Sequence, residues 1–288
     1  MSARRRGGGY LFVGPSVAIL FLVALCPIAF AAWLSLRRVI LVFHEDRFVG
    51  LANYRFLLED RRFFSALGHT AYFTVVSLAI ELAVGLPLAL LLHRAFRGRG
   101  LLRAAVLVPW AIPTVISARM WAWMWNPDHG VLTRLLLLED VDLLGTPAYA
   151  MHAAIVVDVW KSTPFVALLL LAGLAGIPEE LYRAARVDGA SRRRMFFAIT
   201  LPLLRPTLAV TALFRALDAL RVFDAIYVLT GGGPANTTET LSIYAYKTMM
   251  RSGDFGYGAT LAVATFLVVV LVSSLYLRTI GRGAGVGR

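Results

Sequence analysis

The chain has 288 residues, of which 59% are hydrophobic and 16% charged, and its mean hydropathy is +0.71. A soluble domain carries about 25% charged residues, and here the apolar residues gather into long runs, so a soluble globular protein is excluded. The net charge of +12 does not indicate a nucleic-acid partner, because the arginines lie between apolar runs and form no free basic stripe. A single cysteine excludes a disulfide framework, and the five histidines show no metal-ligand spacing.

Six apolar segments, each long enough to cross a bilayer as a helix, follow one another along the chain. We predict spans at roughly 10–36, 68–92, 101–125, 149–176, 203–229 and 257–279. Because backbone groups inside a bilayer must be satisfied within the protein, each span should be helical despite internal prolines. The predicted fold class is therefore an all-α integral membrane protein with six transmembrane helices, forming a single domain over residues 1–288.

Basic residues between the spans predict the orientation in the membrane. The N-terminal segment, the second and fourth loops and the C-terminal segment hold sixteen arginines, whereas the opposite segments hold nine basic residues. The more basic side should face the cytoplasm, which places both termini inside. The first apolar run is too long for a signal-peptide core, so we expect an uncleaved first span.

The cytoplasmic loop at 177–202 has the features of a short surface helix followed by a turn. Pro178 and the two glutamates after it favour a helix start, and Gly189 allows the chain to reverse. A small apolar face is contributed by Leu181, Ala184, Ala185 and Ala190. This pattern suits docking into a groove on another protein, although spacing alone leaves a solvated connector as a close alternative.

The same loop resembles the cytoplasmic coupling loop of binding-protein-dependent ATP-binding-cassette (ABC) permeases. In that family Glu-Ala-Ala is followed at fixed spacing by Gly and then by Ile-x-Leu-Pro, and here Ala184-Ala185, Gly189 and Ile199-Thr200-Leu201-Pro202 match. The form of the loop, with Gly231-Gly232-Gly233-Pro234, Thr240-Leu241 and Gly256-Tyr257 on the outer side, is similar to the carbohydrate branch. That branch includes the maltose, trehalose and glycerol-phosphate permeases, and the resemblance covers roughly residues 10–280.

The resemblance implies a type I ABC importer permease with a cytoplasmic coupling helix in a bacterial or archaeal cytoplasmic membrane. The implied partners are a second permease subunit forming a heterodimer, two ATPase subunits, an extracytoplasmic solute-binding protein, a sugar and membrane lipid. ATP and Mg would bind the ATPase, and this chain would bind no cofactor. The residues expected to couple to the ATPase are Glu179, Glu180, Leu181, Tyr182, Arg183, Ala184, Ala185, Asp188, Gly189 and Ala190. One departure is Arg183, which replaces the glutamate of the family motif; Glu179, Glu180, Asp188 or a complementary ATPase could compensate.

Charged residues inside the predicted spans indicate where a solute would pass. A charge at the centre of a span costs roughly 2.5–3.5 kcal/mol on insertion scales, so such residues usually face a cavity or a partner. The fifth span carries Arg215, Asp218, Arg221 and Asp224, which could either bind sugar hydroxyls or form buried ion pairs. Both interpretations remain open for the first two, and ion pairing is preferred for the last two. By resemblance to the maltose-type permeases, the expected solute contacts are Lys161, Ser162, Phe165, Arg215, Asp218, Ala219 and Val222.

No enzymatic activity is predicted for this chain. It lacks a Gly-x-x-x-x-Gly-Lys-Ser/Thr motif for ATP phosphates, and Gly231–Gly233 is expected to form a turn. No catalytic carboxylate pair, metal cluster or Ser/His/Asp arrangement presents itself. The remaining alternative is a secondary transporter driven by an ion gradient, which would be supported by the charges of the fifth span. The solute stays open among disaccharides, other oligosaccharides, polyols and glycerol phosphate.

Overall fold

The computed structural model describes residues 6–138 and 140–283, and it is almost entirely helical. Arg4, Arg5 and Arg288, on which part of the orientation prediction rests, lie outside the described residues. The helices that carry the apolar segments are α1 (Arg6–Leu20), α2 (Cys26–Ser35), α3 (Ala52–Glu59), α4 (Arg61–His93), α5 (Arg99–Ala111), α6 (Thr114–Met124), α7 (Val131–Leu135), α8 (Pro147–Ala175), α9 (Glu179–Val187), α10 (Arg192–Met195), α11 (Leu201–Ala219), α12 (Asp224–Leu229), α13 (Leu241–Tyr246) and α14 (Phe255–Gly283).

Short π-helical turns continue several of these helices and join some of them into longer continuous helices. The turn Phe21–Leu25 joins α1 to α2, Phe196–Thr200 joins α10 to α11, and Lys247–Arg251 follows α13. A two-stranded antiparallel hairpin, β1 (Arg37–Ile40) and β2 (Glu45–Phe48), comes directly after α2 and pairs Arg37 with Phe48.

Among the described residues, five helical stretches are long and apolar enough to cross a membrane: Val13–Ser35, Arg61–His93, Pro147–Ala175, Arg192–Ala219 and Phe255–Thr279. A sixth candidate is the pair α5 and α6, which is bent by 92°. The predicted all-α membrane fold class is therefore confirmed. The predicted count of six spans is reached if the bent pair crosses the membrane as one span.

Two of the predicted spans contain a break in the helix. The third, predicted at 101–125, breaks between α5 and α6 because Pro113 has no N–H and forces Ile112 into an extended conformation. The fifth, predicted at 203–229, ends at Ala219 and resumes at Asp224. Hydropathy detects composition and not backbone bonding, so neither break is visible in an apolar window.

The chain divides into two compact units. The first contains the residues up to Phe64 together with Tyr244–Val268, and the second contains Ser65–Ile243 with the residues after Val268. The single-domain prediction stays a prediction. Among its described residues, the second unit has an apolar core around Phe73, Trp121 and Ile226 and another around Leu92, Leu170 and Leu204.

Polar contacts join Asp60 to the α13 and α14 helices within the first unit. The Asp60 carboxylate accepts hydrogen bonds from the hydroxyls of Tyr244 (2.7 Å) and Tyr257 (2.5 Å). Gly256 lies against the β1 backbone, where an added Cβ would overlap the Arg37 carbonyl oxygen, so only glycine fits. The Gly256-Tyr257 pair of the sequence motif thus packs the hairpin against the start of α14.

Hydrogen bonding controls the pKa of Asp60. Burial raises the pKa, but the two tyrosine hydroxyls and the backbone N–H groups of Arg62 and Phe63 outweigh it and hold the pKa below its ordinary value of 3.8. Because the folded pKa is depressed, these bonds contribute stability above the ordinary carboxyl pKa, and this contribution is lost as pH falls through the folded value.

We expect Asp60→Asn to lower the unfolding free energy by about 1–3 kcal/mol at neutral pH, since two bonds lose their charged acceptor. Thermal unfolding of the purified chain in mild detergent measures the effect. The exposed neighbour provides the control variant, Glu59→Gln, which should leave Tm unchanged. The difference between wild type and Asp60→Asn should shrink below pH 4; equal Tm values at neutral pH would contradict the analysis.

Candidate functional site: a buried ion cluster beside an intramembrane cavity

One arginine joins three membrane helices in the second unit. Arg215 of α11 donates from Nε to Glu81 Oε2 and from Nη2 to Glu81 Oε1, both at 2.7 Å, and Glu81 comes from α4. The same Nη2 lies 3.0 Å from Asp158 Oδ2 of α8, and Nη1 lies 2.5 Å from Asp218 Oδ2. We call these four residues the Arg215 cluster. The bidentate contact with Glu81 fixes the guanidinium plane as well as its position.

Burial separates the cluster into a structural core and an exposed arm. The side chains of Arg215 and Glu81 are 4% and 0% exposed, whereas that of Asp218 is 64% exposed. A guanidinium whose donors already bind three carboxylates has little capacity left for a solute. Arg215 therefore holds the helices together and orients Asp218, whose second oxygen lies 3.8 Å from Arg221.

An open cavity of about 550 Å³ lies beside the cluster, a volume within the usual range of small-molecule sites. Helices α5, α6, α8 and α11 supply its walls, which are lined by Trp110, Ala111, Ile112, Pro113, Thr114, Lys161, Ser162, Phe165, Phe214, Arg215, Asp218 and Arg221. A smaller hollow of about 170 Å³ shares Lys161 and Asp218 and extends to Ala219 and Val222. Aromatic rings and hydrogen-bonding side chains thus face one space.

The structure brings all seven predicted solute residues to these two hollows. Lys161, Ser162 and Phe165 enter from α8, Arg215 and Asp218 from α11, and Ala219 and Val222 line the smaller hollow. Val222 lies in the break between the end of α11 at Ala219 and the start of α12 at Asp224. Contact between these residues and a solute stays a prediction.

Sequence reasoning missed the residues that come from the broken third span. Trp110, Pro113 and Thr114 line the cavity because the bend turns the backbone toward α8. The Pro109 to Pro113 interval was the available signal for a break. Glu81 and Asp158 were noticeable as charges within apolar runs, but their meeting on Arg215 depends on tertiary packing.

The predicted cytoplasmic helix is present as α9. Pro178 precedes its first residue, Glu179 and Glu180 occupy the first turn, and Gly189 has φ +73° just beyond its end. The Ala190 N–H bonds to the Ala185 carbonyl (2.8 Å) and the Gly189 N–H to the Arg186 carbonyl (3.1 Å). This pair of bonds is the Schellman arrangement, which stops a helix sharply and satisfies its last carbonyls.

Helix α9 presents an exposed apolar stripe. Leu181, Ala184 and Val187 follow at three-residue spacing and all are exposed, Val187 to 88%. Ala185 and Ala190 from the predicted face are half-buried, and Val187 was not part of the prediction. The helix is fixed to the following segment by a hydrogen bond between the Tyr182 hydroxyl and Thr200 Oγ1 (2.9 Å).

Arg183, at the position of the family glutamate, pairs within its own helix. Its Nη2 lies 3.4 Å from Glu179 Oε2, and both side chains are about two-thirds exposed. An exposed i, i+4 pair contributes only about 0.3–0.5 kcal/mol, so either charge is free to exchange this partner for another.

Comparison with known proteins identifies the family. Residues 81–282 match the model of the binding-protein-dependent transport system inner membrane component. The trehalose/maltose transport system permease protein MalF of Thermococcus litoralis is 44% identical over 95% of this chain and 93% of its own length. The trehalose transport system permease protein SugA of Mycobacterium tuberculosis is 41% identical over 96% of this chain and 89% of its own length.

Solved structures agree on the fold. A bacterial alginate ABC transporter, crystallised with an alginate pentasaccharide-bound periplasmic protein, contains a chain with a TM-score of 0.84 at 22% identity. The match covers 99% of this chain and 98% of that one. The MetNI methionine ABC transporter matches with a TM-score of 0.55 over 77% of this chain.

The bundle of membrane helices with a polar cavity has the fold of type I ABC importer permeases. This chain belongs to the family of binding-protein-dependent transport system inner membrane components. It is a multi-pass transport subunit and not an enzyme, as the sequence predicted. The ion-driven secondary transporter is thereby disfavoured.

The Arg215 cluster makes a sharp prediction about stability. Arg215→Met should destabilise the chain by about 3–5 kcal/mol, because it leaves Glu81 buried without a counter-charge. The amount of protein in the membrane and its detergent unfolding curve measure this loss. Arg221→Met, which removes an exposed arginine only six residues away, serves as the control and should have little effect.

Proposed function

We propose that the chain forms one half of the membrane pathway of an ATP-driven sugar importer. The observation that carries the proposal is the cavity, in which Trp110, Phe165 and Phe214 provide ring faces beside Ser162 and Asp218. Rings pack against the apolar faces of sugars, and the polar groups can hydrogen-bond their hydroxyls. The names of the relatives support a sugar, since they specify trehalose, maltose and, at 32% identity in Streptomyces coelicolor, diacetylchitobiose.

The partners follow from the family. The solute arrives on an extracytoplasmic binding protein. This is supported by the family description, which reads binding-protein-dependent, and by the alginate transporter, which was crystallised with a periplasmic protein. A second permease subunit completes the pathway as a heterodimer, and two ATPase subunits bind ATP and Mg. Both termini then face the cytoplasm, in line with the arginine distribution.

Helix α9 is the element that receives movement from the ATPase. Its stripe of Leu181, Ala184 and Val187 is apolar, exposed and located at the membrane surface by the predicted topology. An amphipathic helix of this kind packs into a groove of a partner. Because Pro178 and Gly189 fix both ends, displacement of α9 is transmitted to α8 and to the segment leading into α11.

Transport then proceeds by alternating access. Helices α8 and α11 carry both the cavity residues and, at their cytoplasmic ends, the connections to α9. Closure of the ATPase pair moves α9, and the cavity changes the side of the membrane to which it opens. The Arg215 cluster moves α4, α8 and α11 as one body during this change.

Reconstitution tests the proposal. The tagged chain should co-purify in gentle detergent with an ATPase, a second permease and a binding protein. In liposomes this complex should accumulate labelled trehalose or maltose only with ATP and binding protein. Transport by the isolated chain driven by an ion gradient, or no accumulation of any di- or oligosaccharide by the complete complex, would contradict the proposal.

Gly189 tests the coupling role. We expect Gly189→Val to abolish uptake while the protein remains in the membrane, because an L-residue at positive φ costs about 1–2 kcal/mol and unwinds the turn. No heavy atom lies within 4 Å of the added Cβ, so the effect is conformational and not a clash. Gly189→Asn is the matched control, since asparagine tolerates this conformation, and it should retain most uptake. Normal uptake by Gly189→Val would remove α9 from the coupling mechanism.

A further inference from the structure

The bend between α5 and α6 leaves backbone carbonyls without helical partners. The last carbonyls of a helix have no partner within it, and Pro113 cannot donate a hydrogen bond to them. The Ile112 N–H still bonds to the Val108 carbonyl at 3.3 Å, but beyond this point the chain leaves the helical direction. At membrane depth, such carbonyls need a donor from the protein or from a water-filled cavity.

Lys161 of α8 supplies the missing donor. Its ammonium nitrogen lies 2.5 Å from the Ile112 carbonyl oxygen and 3.5 Å from that of Trp110. A cation at this position also interacts favourably with the partial negative charge at the C-terminal end of α5. One turn further along α8, Phe165 stacks on Trp110 with centroids 5.8 Å apart and planes 15° from parallel. Two neighbouring side chains of one helix therefore hold the broken end of another.

We propose that Lys161 is a positioning residue that fixes the bend at Ile112-Pro113 and thereby places the 110–114 wall of the cavity. The Lys161 ammonium has three donors, and it points toward the backbone carbonyls of Trp110 and Ile112. Its effect on the solute is exerted through the wall. This role adds to the proposed function. Only the uptake measurement below depends on the proposed function, because the spin-label measurement needs no solute.

The angle of the bend can be measured directly with spin labels. Cys26 is the sole cysteine, so a Cys26→Ser chain accepts labels at Leu101→Cys on α5 and Trp123→Cys on α6. Both positions are exposed, at 79% and 53%. Each lies about 15 Å from the bend at 1.5 Å per residue, so opening the bend by about 30° lengthens their separation by about 5 Å. Pulsed electron–electron double resonance on the full chain in nanodiscs measures the distance between the two labels.

We expect Lys161→Met, which keeps the apolar stem and removes the donors, to broaden the distance distribution or shift it by about 5 Å. Lys161→Arg should preserve the narrow distribution, because its guanidinium can donate to both carbonyls. The control is Arg119→Met, which removes an exposed cation from α6 outside the cavity and should change nothing. An unchanged distribution in Lys161→Met would overturn the proposal.

Uptake by the reconstituted complex separates a positioning role from direct solute binding. A misplaced wall should lower the maximal uptake rate by at least tenfold and leave the half-saturating solute concentration within twofold. A raised half-saturating concentration together with an unchanged label distance would show that Lys161 binds the solute itself. The label distance needs neither solute nor partner, so it stands even if the transported molecule proves not to be a sugar.

Discussion

The ion cluster around Arg215 is the interaction on which the second unit depends. Removing a guanidinium and the two carboxylates of Glu81 and Asp158 from water is costly, and good geometry makes the arrangement tolerable. Two bonds of 2.7 Å to Glu81 and one of 3.0 Å to Asp158 meet that condition, and they join α4, α8 and α11 in one polar contact. The same contact orients Asp218 toward the cavity, so structural support and site geometry come from one residue.

Helix breaks provide the rest of the cavity. An unbroken helix presents only side chains to a pathway, whereas a break brings backbone carbonyls and a turn of the chain to its wall. The break at Pro113 is stabilised by Lys161, and the break after Ala219 opens the smaller hollow. Helix α8 meets both breaks and the ion cluster, which makes it the central element of this unit. It also leads directly into the segment that carries α9.

The surface of α9 combines an apolar stripe with weakly held charges. Arg183 and Glu179 form a pair that solvent already screens, so a partner can replace either contact at little cost. The reversed charge at Arg183 therefore does not disturb the helix itself. The helix begins after Pro178 and is stopped at Gly189 by the backbone hydrogen bonds of its last turn. The reversed charge at Arg183 instead changes the charge that a partner surface must present to α9.

The sequence by itself determined the membrane class, the approximate spans and both ends of α9, because these depend on hydropathy and on local backbone preferences such as those of Pro178 and Gly189. It also indicated the seven cavity residues through the resemblance to the maltose-type permeases. Only the tertiary structure decided that Arg215 is buried against Glu81, that Lys161 meets a backbone carbonyl, and that Trp110 faces the cavity. These outcomes depend on which helix lies beside which, and partners 134 and 49 residues apart in the chain leave no trace in local periodicity.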